Sequence, residues 1–367
     1  MADGEGETEA GAVLHGDVLA LTLSYVPLVD LVSASRVSRS WRDAVFFCLR
    51  HLRWRRPWLL IYCQSIPPPH TVSVRAYDPR PYGLSAILRA WPLLLLSSHS
   101  ALLYGGRLSF SSDPLHLTWH HASSPSVDRS YPVAALVGSR LVVAGGMYEN
   151  DSPPVEVYNT RTRTWSAYYS MPALLASLRV PTASFWHSVA TDGQRMYIMQ
   201  TLTGATHTFD PDTGAWLQPY DLRPDRDVFY SLMGFAGDRL VVVGVLGNLD
   251  DVKGVKVWGS MGNLRHVQEL LEELQDLQDD IYYVSNMGMC SSKDFLYLHS
   301  QSSPHLVFWC GREDNSGAWR WGTARDPRGR NFRNWVVYTC AEVGMGELRE
   351  AAVTGHGRFV VTTAEGR

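Results

Sequence analysis

The sequence predicts an α+β multidomain chain: a small N-terminal unit of three helices, then an all-β propeller of about six blades. Three observations carry that prediction. Apolar residues recur at helical spacing within residues 12–56. After Pro57 the chain turns to short runs rich in Val, Ile, Tyr, Trp and Leu, punctuated by Gly, Pro, Asp, Asn and Ser, the pattern of many short strands. Those runs also repeat, at intervals of roughly 40 to 50 residues that suit a four-stranded blade.

Composition bounds the rest. A chain of 367 residues with 45% hydrophobic and 19% charged residues buries ample core without disulfides or metals. Its formal charge of −3 offers no general attraction for nucleic acid or anionic membrane, so neither is expected as a partner. Five cysteines (Cys48, Cys63, Cys290, Cys310, Cys340) without a C-x-x-C argue for reduced thiols in a cytoplasmic or nuclear protein. The acidic opening MADGEGETEAGA lacks the features of a signal peptide, and the apolar stretch from Trp91 to Leu96 is far below the roughly 20 residues that span a bilayer.

Residues 1–11 read as a disordered acidic tail, too poor in apolar surface to offset the entropy of ordering. A first helix starts at Asp17, placed as an N-cap, and carries Val18, Leu19, Leu23 and Val26 up to Pro27. A second puts Leu28, Leu31, Val32 and Ser35 on one face, with Asp30 in its first turn. A third begins near Ser38 or Ser40 and carries Trp41, Val45, Phe46 and Leu49. Three helices in about 40 residues make a marginal core that leaves an apolar face for a partner. The basic run Arg50 to Arg56 reads as the solvated end of the third helix, too small a patch to bind nucleic acid.

Residues 57–367 are expected to form the propeller. The clearest repeat runs from Gly138 through Leu141-Val142-Val143-Ala144-Gly145-Gly146 to Val155-Glu156-Val157-Tyr158 and Trp165. Further copies run from Asp192 to Trp216 and from Gly237 to Trp258; weaker ones contain Gly105-Gly106 with Trp119, and Phe295 to Leu298 with Trp319 or Trp321. With tryptophan as the ruler, the intervals are 46, 51, 42 and 61 residues. The long last interval is assigned to an inserted helix over 262–280, with a leucine stripe packed on a neighbouring blade and an acidic outer face. The tail Arg358–Thr363 is the expected closing strand of the ring.

The N-terminal stretch resembles an F-box on three segments: Leu14-His15-Gly16-Asp17-Val18-Leu19, Val26-Pro27-Leu28-Val29-Asp30-Leu31-Val32, and Val37-Ser38-Arg39-Ser40-Trp41-Arg42. It departs at His15, where the family has Pro. The repeats resemble kelch motifs, most fully at Gly145-Gly146, Tyr158 and Trp165. In that order the two resemble plant kelch-type F-box proteins, substrate receptors of SCF ubiquitin ligases. The resemblance implies a Skp1-like adaptor docked by Leu14, Val18, Leu19, Val26, Pro27, Leu28, Leu31, Val32, Val37 and Trp41, with cullin and E2 recruited through it. It also implies a protein substrate on the propeller, with a phenylpropanoid or flavonoid enzyme as candidate. The residues leave open how the apolar set divides between core and interface, and the alternative of a kelch scaffold outside any ligase.

No catalytic, cofactor or metal site is expected. His116 and His120 would share a strand face that His121 leaves, and no phosphate loop, nucleophile elbow or H-E-x-x-H occurs. Asp210-Pro211-Asp212-Thr213-Gly214 reads as a turn. Three lysines (Lys253, Lys256, Lys293) stand against 30 arginines. A coding bias towards Arg explains that plainly; the sharper reading is protection of the receptor from modification beside a charged E2.

Overall fold

The computed structural model describes residues 16–26, 28–51, 57–65, 72–78, 84–90, 97–98, 101–104, 107–110, 120–129, 132–147, 154–173, 175, 186–249, 251–260, 267–274, 287–292, 294–300, 306–312, 319–325 and 334–354. The acidic tail, Leu14, Pro27, the Gly105-Gly106 doublet and Trp119 lie outside them, as do residues 52–56 and the expected closing strand Arg358–Thr363.

The three expected helices are α1 (Gly16–Ser24), α2 (Leu28–Ala34) and α3 (Arg39–His51). Asp17 falls in the first turn of α1, not at its cap, and there faces the positive end of the helix dipole. Ser38 caps α3, its Oγ accepting from the Trp41 amide at 3.2 Å.

Six antiparallel sheets follow. Blade 1 holds β1 (Trp58–Ser65), β2 (Val72–Asp78) and β3 (Leu84–Ala90); blade 2 holds β4 (Ser97–Ser98), β5 (Ala101–Tyr104), β6 (Arg107–Phe110) and β7 (His120–His121). Blade 3 is β8 (Val133–Val137), β9 (Arg140–Ala144), β10 (Val155–Asn159) and β11 (Thr164–Tyr168). Blade 4 is β12 (His187–Thr191), β13 (Met196–Gln200), β14 (Ala205–Asp210) and an outer edge split into β15 (Ala215–Trp216) and β16 (Tyr220–Asp221). Blade 5 is β17 (Val228–Ala236), β18 (Arg239–Gly247), β19 (Val252–Ser260) and β20 (Val267–Leu274); blade 6 is β21 (Met287–Ser292), β22 (Phe295–Ser300), β23 (Leu306–Arg312) and β24 (Trp319–Arg325). Then β25 (Asn334–Ala341) returns to blade 1 as its innermost strand, pairing with β1 so that Ala341 faces Trp58 and Asn334 faces Ser65. One short helix follows, α4 (Met345–Thr354). First strands of successive blades touch in the cyclic order β25, β4, β8, β12, β17, β21 and back to β25. The result is a six-bladed propeller whose first blade is built from both ends of the chain.

The reason for the continuous apolar strands lies in that ring. Leu240, Val241, Val242 and Val243 are all buried, although neighbours on a strand point to opposite faces. Val241 and Val243 join a core with Leu296 and Leu298 of blade 6, while Leu240 and Val242 join Tyr197 and Met199 of blade 4. Blade 5 thus hides both faces against its neighbours, which no isolated four-stranded sheet can do.

The tryptophan ruler has a physical basis in blades 3 and 4. Trp165 Nε1 donates to the Ser123 carbonyl at 2.9 Å, and Trp216 Nε1 donates to the Ser170 carbonyl at 3.0 Å. In each case an outer-strand indole holds the connection arriving from the preceding blade. The same indoles pack at a tilt against an aromatic of the third strand, Tyr158 and Phe209, with centroids 5.2 and 5.1 Å apart. Trp258 breaks the rule. It lies in β19, a third strand, against Val228 and Leu246. That displacement makes one interval short and the next long.

The inserted helix therefore has to be corrected. Of residues 262–280 the structure describes 267–274, and these form β20 on the open edge of β19, with Val267 opposite Ser260 and Glu269 opposite Trp258. The leucine and glutamate spacing favours a helix in isolation, but the unpaired edge of β19 supplies hydrogen bonds that an isolated segment lacks. The mismatch survives as two register irregularities in the β19–β20 pair.

Candidate docking surface and recognition face

The helical unit is small, and its interior is mostly the expected apolar set. Leu19 and Leu23 of α1, Leu28, Leu31 and Val32 of α2, and Val45 and Cys48 of α3 are buried in one cluster. The Cys48 thiol donates to the Ala20 carbonyl at 2.7 Å and ties α3 to α1. Burial raises the pKa of that thiol above its ordinary value.

Sequence reasoning left the ten proposed adaptor contacts undivided, and the structure divides them. Leu19, Leu28, Leu31 and Val32 are internal, so they shape the surface without forming it. Val26 and Trp41 pack half-buried at the edge of the same cluster. Val18 and Val37 point outward, 57% and 64% exposed. Leu14 and Pro27 lie outside the described residues. The sequence reading missed Leu21 and Tyr25, which continue the outward face of α1 from Val18 at i+3 and i+7, and Phe47 on α3. Helical spacing alone could have found Leu21 and Tyr25, because they fall opposite Leu19 and Leu23.

The cluster does not end with the three helices. Trp58 and Leu60 of β1, Ala76 of β2, and Met345 and Leu348 of α4 complete it. Gly344 and Glu347 show why α4 starts where it does: the Gly344 amide donates to Glu347 Oε2 at 2.9 Å, satisfying an N-terminal donor. The helical unit is consequently seated on blade 1, at the end where β25 finishes and β1 begins.

Strand direction fixes what lies at the other end. In a four-stranded meander the turns after the first and third strands share one face of the ring; the turn after the second strand and the inter-blade connection share the other. Exposed apolar side chains collect on this second face in blades 4 and 5. Trp186 lies in the connection to β12, Leu202 in the β13–β14 turn and Leu249 in the β18–β19 turn. The Trp186 carbonyl accepts from the Thr201 amide at 3.1 Å, and the Ser231 amide donates to the Thr201 carbonyl at 2.7 Å, which stitches blade 4 to blade 5. The helical unit and these exposed side chains therefore lie at opposite ends of the strands.

Blade 3 carries a buried ion pair on that same face. Arg129 Nη2 and Nε donate to Glu156 Oε2 at 2.9 and 3.2 Å, and Ser126 donates to Oε1 through both its amide and hydroxyl at 2.7 Å. Arg129 Nη1 donates to the Gly145 carbonyl at 2.7 Å. Gly145 and Gly146 both have left-handed φ, 73° and 72°, which turns that carbonyl inward and explains the doublet. Burial lowers the pKa of the Arg129 guanidinium, and the hydrogen-bonded Glu156 carboxylate opposes the shift.

Both regions match known family models: an F-box domain over residues 14–51 and a kelch motif over 128–172. The chain resembles F-box/kelch-repeat proteins. The F-box match spans α1 to α3, and the kelch match spans blade 3 with its diglycine, Tyr158 and Trp165. An F-box/kelch-repeat protein of Arabidopsis thaliana is 38% identical over 268 residues, 69% of this chain and 66% of the relative, just under two thirds of its length. A second from the same plant is 22% identical over 88% of this chain and 87% of its own, and a third is 28% identical over 42% and 36%. Among solved structures, Kluyvelomyces marxianus Hsv2 superposes at a TM-score of 0.36 with 11% identity, over 70% of this chain and 93% of that one, too low a likeness to bear on function.

Among the described residues no three His, Cys, Asp or Glu side chains group to hold a metal, and no helix is long and apolar enough to cross a membrane. His120 and His121 are both exposed on β7.

Proposed function

We propose that this F-box/kelch-repeat chain is the substrate-recognition subunit of an SCF-type ubiquitin ligase. The observation that carries the reading is the outward apolar set Val18, Leu21 and Val37, held on a helical unit whose own core is already filled. Such side chains are costly to leave in water, and burying them against a Skp1-like adaptor returns about 25 cal/mol per Å2. The adaptor would bring cullin and E2. The far face, with Trp186, Leu202 and Leu249, would hold the protein substrate, for which a phenylpropanoid or flavonoid enzyme is the candidate by resemblance. The chain itself would contribute no chemistry. Its work is proximity: a stiff ring fixes the distance between adaptor and substrate, so that transfer becomes effectively intramolecular.

The test is affinity capture of the tagged full chain from plant cells treated with a proteasome inhibitor. Wild type should recover adaptor, cullin and substrate. Val18→Glu/Leu21→Glu should lose adaptor and cullin while retaining substrate. Recovery of substrate without adaptor by the wild type would replace this reading with that of a kelch scaffold.

A further inference from the structure

Blades 6 and 1 meet at a junction whose two innermost strands, β21 and β25, each carry a cysteine. Neighbours on β21 alternate between adjoining blades. Met289 and Ser291 face blade 5, where they crowd Gly234 of β17 so closely that a Cβ there would lie 2.8 and 2.6 Å from them. Cys290 therefore faces the opposite way, towards β25. It packs with Cys340 against Leu59 and Ile61 of blade 1 and Phe295 and Tyr297 of blade 6. The two side chains share that cluster, on strands that lie side by side across the junction. Among the described residues no strand pairing crosses the junction, which is held by side chains and by the Tyr297 hydroxyl donating to the Pro57 carbonyl at 2.6 Å.

We propose that Cys290 and Cys340 are a redox modification site, forming a reversible disulfide that staples blade 6 to the innermost strand of blade 1. The oxidant is a peroxide. One thiolate attacks a peroxide oxygen and the O–O bond breaks, leaving a sulfenic acid and one water once the proton is returned. The second thiol then displaces hydroxide from the sulfenic sulfur, forming the S–S bond and a second water. Two thiols are oxidised and one peroxide reduced; a small dithiol reverses the bond. Among the cysteines whose side chains are described, the geometry singles out this pair. Cys48 is buried in the helical core and Cys310 in the cluster between blades 5 and 6, whereas Cys290 and Cys340 are half-buried, and β21 stays partly open to solvent from Gly288 to Ser292. Burial and the neighbouring thiol raise the pKa of Cys290, so the reaction should be slow at neutral pH and faster in alkali.

The test oxidises the purified full chain with hydrogen peroxide, blocks remaining thiols and maps non-reduced peptides. The expected product joins the peptides containing Cys290 and Cys340, raises the thermal midpoint and disappears on adding dithiothreitol. Cys340→Ser should abolish the joined peptide and leave Cys290 trappable by dimedone as a sulfenic acid. Joined peptides involving other cysteines, or alkylation of both Cys290 and Cys340 after oxidation has gone to completion, would overturn the proposal.

Discussion

Arg349 in α4 donates from Nη2 to the hydroxyl of Ser35, the residue that follows α2, at 3.2 Å, across 314 positions of sequence. Its guanidinium carbon also stands 5.8 Å from the centre of the Phe46 ring on α3. The N-terminal unit is thus completed by the C-terminal helix, and both rest on blade 1.

That relationship predicts a long-range effect. Leu348 is buried in the helical core but lies outside the outward set. Leu348→Ala should cost about 2–5 kcal/mol in urea unfolding. It should also weaken adaptor binding, although the side chain touches no docking surface. Unchanged stability would show that α4 merely lies against the unit.

The buried pair in blade 3 predicts a second cost. Removing Glu156 leaves the Arg129 guanidinium charged, buried and short of its main acceptor. Glu156→Ala should destabilise by about 3–5 kcal/mol, measured by denaturant titration. Replacing both by well-packed apolar residues should recover most of it, because the desolvation penalty then disappears with the charges.

Acid sensitivity follows from the buried histidines. His207 is fully buried in blade 4, and neither ring nitrogen has a hydrogen-bond partner among the described residues. Burial pushes its pKa below the ordinary value, and pushes that of His299 down to about 3. Both fold as neutral rings, while the unfolded chain binds protons near pH 6.5. Their contribution is therefore complete above about pH 6.5 and lost as pH falls towards the folded values, with a limiting slope of about 1.4 kcal/mol per pH unit for each group. Thermal melts from pH 7 to pH 5 should show a steady loss, and His207→Leu should make it shallower. An equally steep loss in that variant would remove His207 from the account.

Lysine placement gives a fourth prediction, which rests on the ligase reading. Lys253 and Lys256 lie on β19 of blade 5, away from the helical unit seated on blade 1. Arg36, just before α3, and Arg39 and Arg42 within it are exposed. Replacing all three with lysine should convert the receptor into an acceptor in a reconstituted ligase reaction, visible as a ubiquitin ladder on the chain itself. No ladder, with adaptor still bound, would leave coding bias as the explanation.

Much of this fold was legible in the sequence because its signals are local. Helical spacing located α1 to α3, and the Gly145-Gly146, Tyr158, Trp165 set located blade 3 with its inter-blade contact. The signal failed where a distant neighbour decides. β20 has the spacing of a helix and is a strand because β19 offers it an edge. Closure by β25 depends on register with a strand more than two hundred residues earlier. The division of the docking residues depended on what α1 to α3 pack against, and much of that is blade 1 and α4. Leu348 and Trp58 are part of the same core as Leu19, which no window on the first 56 residues contains.

The most direct test of the docking claim is titration calorimetry of the purified full chain with a purified Skp1-type adaptor, alongside Val18→Glu/Leu21→Glu and Val37→Glu. All three chains should keep the wild-type thermal midpoint, because the substituted side chains are exposed. Wild type should bind one adaptor per chain. The double variant should lose at least about 100-fold in affinity, and Val37→Glu roughly 10-fold. A wild type that fails to bind, or a double variant that binds equally well, would contradict the assignment of this face to an adaptor.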